Sequence, residues 1–272
     1  MKQTLIIACC MLVLLFSCAH PRKAEYEAVT HQSQQYYDTG EYKKALDSYH
    51  ALHVRFPEDT HVTGSYYSMV EKIKKQSDTA YAKGDYAAAY KNYRLLTDYH
   101  DDFSNYQKML SFSKSFLTER IKSAHIKLAE NTSQQAISSG HFQKAITACR
   151  ELITEYRKDK QSQKCLMTAA SELYEMADSA DKKGEYEEAG KIYAVLRKNV
   201  RTFKTAGIPL ETLDKDLENC SRNLNIKALA LYRKGDLRQA LSVWKNILEF
   251  DPANAEARKS IATTTDQLKN MQ

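Results

Sequence analysis

The chain has 272 residues, which is enough for one extended domain or two compact ones. Hydrophobic residues make up 43% and charged residues 27%, while only 4 prolines and 8 glycines are present, and this balance favours a folded chain of long helices over a sheet-rich protein. The net charge of +6 is modest and spread along the chain. It argues against nucleic-acid binding, because that function requires a clustered basic face.

The first seventeen residues differ in character from the rest. An apolar stretch from Leu5 to Phe16 is too short to span a bilayer as a mature helix. It ends in Leu15-Phe16-Ser17-Cys18, which resembles the lipobox of bacterial lipoproteins. The resemblance implies that 1–17 is a lipoprotein signal peptide and that Cys18 is the site of lipidation. The alternative is an ordinary secretory signal that leaves an unanchored protein.

The lipobox resemblance also implies a location. The residue after the cysteine is Ala19, not the Asp that favours retention at the inner membrane in proteobacteria, so the outer membrane facing the periplasm is expected. Several acyl chains on Cys18 would hold the protein firmly, because each buried methylene contributes about 0.8 kcal/mol. Residues 18–25 are then the lipidated cysteine and a short tether, which keeps the following domain close to the membrane.

Five similar units around five glycines organise the remaining chain. An acid or histidine follows each glycine, then an aromatic or leucine, and an alanine stands five residues after the glycine. These residues are Gly40 and Ala45, Gly84 and Ala89, Gly140 and Ala145, Gly184 and Ala189, and Gly235 and Ala240. Four residues after each alanine come Tyr49, Tyr93, Cys149, Tyr193 and Trp244, and three residues later Leu52, Leu96, Leu152, Leu196 and Ile247.

Each repeated position has a physical role. The glycine ends a helix in the left-handed conformation that glycine adopts at least cost, and the acid after it can cap the next helix. The alanine marks a close helix crossing, and the later aromatic and leucine share its face. Each unit is therefore predicted to be a helical hairpin, with helix A before the glycine and helix B after it.

The unit resembles the tetratricopeptide repeat (TPR) over about residues 26–257, most closely in the turn and helix B. Pro57 and Pro252 match the closing proline of that family. The resemblance implies an all-α fold, a TPR-like helical-hairpin solenoid of about five repeats over 26–252. A C-terminal capping helix is expected in 253–272, with Ala257, Ile261 and Leu268 as its apolar stripe.

The glycines are spaced more widely than the 34 residues of the family. The surplus has to lie between one helix B and the next glycine, so elongated A helices are expected. Residues 104–139 contain neither glycine nor proline. Either one very long helix or two helices would fit this segment.

The cysteines that remain after Cys18 are Cys149, Cys165 and Cys220, an odd number that indicates at most one disulfide and one buried thiol. A turn near Arg157 would place Cys149 and Cys165 at similar height on facing helices. A disulfide between them is one outcome. The other is that Cys149 is only a small buried residue in the aromatic position.

Motifs for chemistry are missing from the sequence. It contains no Gly-rich phosphate loop, no GxSxG and no HExxH. His50, His53 and His61 could approach one another as metal ligands, but exposed histidines on the back of a helix are the simpler interpretation. We therefore expect no catalytic residues, no metal, no cofactor, no small-molecule substrate and no nucleic acid, and hence no enzyme.

The TPR resemblance implies a partner-binding groove lined by helix A residues close to the turn. Carried over to this sequence, the groove positions are Gln34, Tyr37, Asp78, Tyr81, Gln134, Asp178, Asp181 and Tyr232. Tyrosine at such positions supplies a rigid, amphipathic contact for protein recognition. The alternative is that the rings only pack between neighbouring A helices.

The implied function is a membrane-anchored, periplasm-facing scaffold lipoprotein that binds a protein or extended peptide partner in the envelope. A narrower alternative is an assembly or escort factor for outer-membrane proteins, similar to the TPR subunit of the β-barrel assembly machinery or to secretin pilotins. The ending Arg55-Phe56-Pro57 of the first unit resembles that subunit. A cell-wall-binding or enzyme-associated lipoprotein is a third class.

Overall fold

The computed structural model describes residues 23–104, 110–199 and 208–271. The signal segment, Cys18 and most of the expected tether lie outside the described residues. Those that are described form eleven α-helices and contain no β-strand. The expected all-α, helical-repeat fold is confirmed.

Five helical hairpins follow one another, and a last single helix comes after them. The A helices are α1 (23–38), α3 (Thr60–Ala82), α5 (Lys114–Ser138), α7 (Lys160–Lys182) and α9 (Leu210–Arg233). The B helices are α2 (Tyr42–Arg55), α4 (Tyr86–His100), α6 (Phe142–Glu155), α8 (Tyr186–Asn199) and α10 (Leu237–Phe250), and the last helix is α11 (Ala255–Asn270). Helix α1 already includes residues 23–25, which the sequence analysis placed in the tether.

The A helices are elongated, as the wide glycine spacing predicts. Helices α3 and α7 have 23 residues each, whereas α8 has 14. At 1.5 Å per residue α7 is about 35 Å long and α8 about 21 Å. Buried residues run along α7 from Ser162 to Ala180, because α7 packs against both α6 and α8. The additional turns thus lengthen the packed interface.

The segment that the sequence left open, residues 104–139, contains one long helix. A short 3-10 turn, Asp101–Phe103, follows α4, and a connection that is only partly described leads to α5. Helix α5 then runs for 25 residues to the turn at Gly140.

All five hairpin turns have the same backbone geometry. At Gly84, φ is +81°. The N–H of Asp85 donates to the carbonyl of Ala80 at 2.9 Å, and the N–H of Gly84 donates to the carbonyl of Tyr81 at 3.1 Å. This is the Schellman motif, which satisfies the last carbonyls of helix A. The other four turn glycines have φ between +73° and +86° and the same pair of bonds. The predicted turns are confirmed.

The capping prediction was only partly right. Asp85 caps α4, because its side chain accepts from the N–H of Ala88 at 3.0 Å. Glu41 and Asp236, in contrast, make no side-chain cap. Side-chain caps also begin α3, α7 and α11, where Asp59, Asp159 and Asn254 accept from backbone N–H groups two or three residues later.

The contacts divide the chain into two compact units within α5, one up to His125 and one from Ile126 onward. Each unit has its own hydrophobic core. Leu46, Tyr66 and Tyr93 are fully buried in the first unit, and Leu173, Tyr193 and Trp244 in the second. The sequence analysis treated residues 26–252 as one array and did not foresee this division.

The repeated alanine, aromatic and leucine positions form these cores. All five alanines have no exposed surface, and the aromatic and leucine positions are at most 4% exposed. Gly190 shows how closely α8 and α10 approach, since a Cβ on it would lie 2.8 Å from the ring of Phe250. The predicted burial of the five alanines is confirmed.

The two predictions about cysteines are settled within the second unit. Cys149 of α6 and Cys165 of α7 form a disulfide with a Cα–Cα distance of 5.5 Å, and the turn between the helices includes Arg157. Cys220 of α9 is a buried free thiol. Burial, followed by the nearby Asp181, raises the pKa of this thiol to about 12, so it stays protonated and unreactive.

Helix α11 packs against α10 at the end of the chain. Ala257 is buried, and Ile261 and Leu268 are half-buried, as expected for the apolar side of a capping helix. Thr264, which the sequence analysis did not mark, is also fully buried, and its hydroxyl donates to the carbonyl of Ser260 at 2.7 Å.

Candidate functional site

The candidate site is the polar side of the A helices, on which the sequence analysis marked eight residues. The hairpin turns place these residues regularly, because each lies three or six positions before a turn glycine. Seven of them are half-buried, and Gln134 is exposed. The geometry is described for each compact unit separately.

In the first unit, Gln34 and Tyr37 lie on α1 and meet α3 through one lysine. The ammonium of Lys72 donates to Oε1 of Gln34 at 3.3 Å and lies 5.9 Å from the centre of the Tyr37 ring. The same ring packs against Tyr42 of its own hairpin, with 5.4 Å between ring centres. Tyr37 therefore contributes both to the hairpin packing and to the polar surface.

Tyr81 repeats this arrangement on α3. Its ring packs against Tyr86 at 5.3 Å, and its hydroxyl shares a 2.6 Å hydrogen bond with Ser123 of α5. The guanidinium of Arg120 lies 5.4 Å from the centre of the ring, within the range of a cation–π contact. These contacts fix the orientation of Tyr81 between two A helices.

Asp78 serves as an acceptor for the helix B aromatic of its hairpin. The hydroxyl of Tyr93 donates to Asp78 Oδ1 at 2.6 Å, and Lys74 forms an ion pair with the other oxygen at 2.8 Å. Burial, followed by the bond to Asp78, raises the pKa of Tyr93 above its ordinary value. A buried tyrosine hydroxyl thus reaches the polar side of α3, where the carboxylate satisfies it.

In the second unit, Asp178 and Asp181 of α7 form an acidic patch with Asp216 of α9. Asp178 accepts from Lys182 at 2.6 Å, and Asp181 accepts from the amide of Asn219 at 3.1 and 3.3 Å. Burial raises the pKa of Asp216, and the charges of Asp181 and Asp178 raise it further, whereas a hydrogen bond from Tyr174 lowers it. This patch (Asp178, Asp181, Asp216) is thus electrostatically strained.

Gln134 lines a cleft between α5 and α7, here named the α5–α7 cleft. Its outer part is a cavity of about 500 Å³ that reaches the turn at Gly184, and its inner part is a cavity of about 250 Å³ beside the disulfide. Gln134 and Glu172 line both parts. The outer part also exposes Glu175 and Lys183.

Tyr232 lies apart from these groups at the end of α9. Its ring packs against Trp244 at 5.9 Å between ring centres. The indole N–H of Trp244 donates to Oδ1 of Asn225 at 2.7 Å, so here too the helix B aromatic reaches a polar acceptor on helix A.

The structure therefore brings the marked residues together in three pairs: Gln34 with Tyr37, Asp78 with Tyr81 around Tyr93, and Asp178 with Asp181. Gln134 in the α5–α7 cleft and Tyr232 at the end of α9 each lie apart from the other marked residues. The three tyrosine rings also pack inside their own hairpins. All three rings contact an aromatic of helix B in their own hairpin.

Sequence reasoning missed A-helix residues that lie ten or more positions before the turn glycine. Those that complete the polar groups are Lys72, Ser123, Tyr174, Asp216 and Asn219. The repeat signature covers only the turn and helix B, so it gave no register for these positions. Their distances to the next turn glycine differ, from 10 residues for Tyr174 to 19 for Asp216, so the spacing gave no signal for them.

The histidines considered as metal ligands are used in the packing of the first unit. His50 pairs with Asp102 at 2.8 Å, and His53 shares a 3.0 Å hydrogen bond with Thr63. His61 is exposed. Within the described ranges, no three His, Cys, Asp or Glu side chains form a group that could hold a metal ion.

In the part of the chain that the structure describes, no helix combines the length and the apolar character needed to cross a membrane.

No family model matches the chain, and no curated protein matches it. Among solved structures, it is similar to a circular tandem repeat protein with novel repeat topology and enhanced subunit contact surfaces. The identity is 12%, the TM-score is 0.24, and the match covers 90% of this chain and 63% of that one. This chain thus spans less than two thirds of that protein's length. The assignment to helical repeats rests on the five hairpins.

Proposed function

We propose that the chain is an envelope lipoprotein whose hairpins are TPR-like and bind a protein or an extended peptide along the polar side of the A helices. The observation that supports this most is that polar and aromatic side chains on the A helices are held in place by neighbouring residues, as Tyr81 is by Ser123 and Arg120. Side chains that are already fixed lose less entropy on binding.

Charged groups without a partner add to this surface. Four charged residues line the α5–α7 cleft, namely Lys164, Glu172, Glu175 and Lys183. Among the residues that the structure describes, none of their side chains forms an ion pair or hydrogen bond. Such groups are free to pair with complementary charges on a partner, which increases the specificity and the rate of association.

The proposal includes no catalytic role. Among the groups with raised pKa values, Tyr66, Tyr93, Tyr193 and Asp216 owe them first to burial in the helix packing. Catalytic groups are usually perturbed within a pocket that binds substrate. A packing network of this kind is more typical of a binding protein.

Anchoring at the outer membrane through Cys18 is part of the same proposal. It is supported by the lipobox resemblance of 15–18 and by the Cys149–Cys165 disulfide, since such bonds persist in oxidising compartments such as the periplasm.

The proposal is tested by charge reversal on the two sides of the hairpins. Glu175→Lys changes the exposed polar side of α7, and Glu151→Lys makes the same change on the exposed side of α6. In envelopes crosslinked before extraction, we expect Glu175→Lys to reduce recovery of the crosslinked partner, and Glu151→Lys to leave it unchanged. Equal recovery with both variants would argue against binding on the A-helix side.

The identity of the crosslinked partner distinguishes two forms of the function. A β-barrel protein or its assembly machinery would support the narrower role of an escort factor for outer-membrane proteins. Any other envelope protein would support a general scaffold.

A further inference from the structure

The third hairpin differs from the other four at one core position. Nine residues after the turn glycine, four hairpins bury an aromatic side chain on helix B, namely Tyr49, Tyr93, Tyr193 and Trp244. The third hairpin has Cys149, which is bonded to Cys165. Since two sulfur atoms fill less space than an aromatic ring, volume is left unfilled between the helices.

The unfilled volume is the inner part of the α5–α7 cleft. This cavity of about 250 Å³ is lined by both cysteines and by Glu130, Ser133, Gln134 and Thr168. It is large enough for one aromatic ring, because a protein cavity of about 150 Å³ can bind benzene. In the fourth hairpin the corresponding ring, Tyr193, packs 5.8 Å from Tyr174 of its A helix.

The lining also has the polar groups that an aromatic side chain would need. In the second hairpin Tyr93 donates to Asp78, six residues before the glycine, and in the fifth Trp244 donates to Asn225, ten residues before it. The residues at these two positions of the third hairpin are Gln134 and Glu130, and both line the cavity. In the described part of the chain neither side chain accepts a hydrogen bond from helix B, although Glu130 Oε2 accepts from Lys127 of its own helix at 2.8 Å.

An additional polar atom at the cavity is unsatisfied. Ser133 is 4% exposed, and its hydroxyl has no hydrogen-bond partner. Buried polar groups without partners are uncommon and costly. A ligand with a donor or acceptor at the inner end of the cavity would remove this cost.

We propose that the third hairpin receives a tyrosine or tryptophan side chain of the partner protein in this cavity. The ring takes the place that Tyr93 or Trp244 occupies in its own hairpin, and its O–H or N–H donates to Gln134 or Glu130. An aromatic anchor in a desolvated pocket is the usual centre of a protein interface. That the ligand belongs to a protein rests on the proposed function, whereas the ring-binding cavity is a property of this chain alone.

The test uses the full mature chain with Cys18→Ser, its disulfide intact, and small probes. N-acetyl-L-tryptophanamide and N-acetyl-L-leucinamide are titrated separately while the chemical shifts of the protein are followed by NMR. We expect saturable shifts at Glu130, Gln134 and Thr168 with the tryptophan probe. The leucine probe has neither a ring nor an indole N–H, and its affinity should be lower by about tenfold or more.

A pair of variants tests whether the ring position itself is filled. Cys149→Tyr with Cys165→Ser gives the third hairpin the aromatic of the other hairpins, and we expect it to weaken binding of the tryptophan probe about tenfold or more. Cys149→Ala with Cys165→Ser also removes the disulfide but leaves the cavity open. It should bind the tryptophan probe about tenfold more tightly than the tyrosine variant does. Thermal unfolding of both variants confirms that they are folded.

Three results would overturn the inference. They are the lack of saturable shifts, shifts confined to residues away from the cavity, and undiminished binding by the folded tyrosine variant. If the tyrosine variant fails to fold, the inference is decided by the titration of the chain with its natural cysteines, in which the shifted residues either line the cavity or do not. No partner is present in the titration. A failed titration with retained crosslinking in envelopes would therefore refute only the aromatic site, and the reverse result would refute only the proposed function.

Discussion

Single residues of the repeat signature have the roles that their chemistry predicts, but the caps do not follow the same rule. The five turn glycines, the five alanines and the later aromatic and leucine positions were predictable because each depends only on its own hairpin. Caps depend on competing partners. Glu41 forms an ion pair with Lys44 instead of capping α2, whereas the shorter Asp85 reaches the N–H of Ala88.

The alanine position gives the clearest test at this scale. Ala89 has no exposed surface, so Ala89→Leu should overpack the helix crossing and lower the free energy of unfolding by about 1–3 kcal/mol. Ala87 is exposed on the same helix. Ala87→Leu should change the free energy of unfolding by less than about 0.5 kcal/mol. Urea unfolding measures both. Equal effects would show that position 89 is not a close crossing.

The acidic patch predicts a pH-dependent effect. The pKa of Asp216 is raised in the folded protein, so ionisation of this carboxyl weakens the fold as the pH rises through the interval between its unfolded and folded pKa values. Asp216→Asn should therefore raise stability at pH 7, by about 0.5 kcal/mol after solvent screening, and give no gain below about pH 3. Glu218→Gln, on the exposed side of α9, is the control. A gain of the same size at both pH values would contradict this explanation.

At the scale of the helices, the sequence predicted which residues face each other wherever a short turn joins two neighbouring helices. The symmetric placement of Cys149 and Cys165 about Arg157 predicted facing positions, and the structure joins them. The first halves of the A helices could not be placed in the same way. They carry no repeat signature, and their register is set by packing on the preceding helix B, which depends on volumes and not on spacing.

The disulfide between α6 and α7 should contribute measurably to stability. It closes a loop with a sequence separation of 16, for which restriction of the unfolded chain predicts about 3 kcal/mol. Cys149→Ala with Cys165→Ser should lower the free energy of unfolding by about 2–4 kcal/mol. Dithiothreitol should lower the stability of the chain with its natural cysteines and leave that of the variant unchanged. If dithiothreitol changed the stability of both proteins equally, the disulfide would be excluded in solution.

At the scale of the whole molecule, the sequence predicted the order of hairpins and the final helix but not the division into two units. The division falls inside α5, a helix with no glycine or proline to mark a boundary. The separation instead follows from the side chains, because one core ends at Ala124 and the other begins at Ile126. Such a boundary depends on three-dimensional contacts that a single sequence does not display.

Anchoring makes a prediction about the whole chain. Cys18→Ser removes the proposed acylation site, and the protein should move from the membrane fraction to the soluble periplasmic fraction. The comparison is made after a high-salt wash, with Cys220→Ala as the control for loss of a cysteine. A Cys18→Ser chain that still sediments with membranes would show that the anchor lies elsewhere or that a partner retains the protein.

The central claim is that the polar side of the A helices is the surface that binds a partner, and site-specific photocrosslinking in living cells tests it most directly. A photoreactive residue is placed at Gln134, in the α5–α7 cleft, and in a second strain at Glu151, exposed on α6. We expect a discrete crosslinked species from position 134 and none from position 151. A crosslink from position 151 alone, or from both positions equally, would contradict the claim.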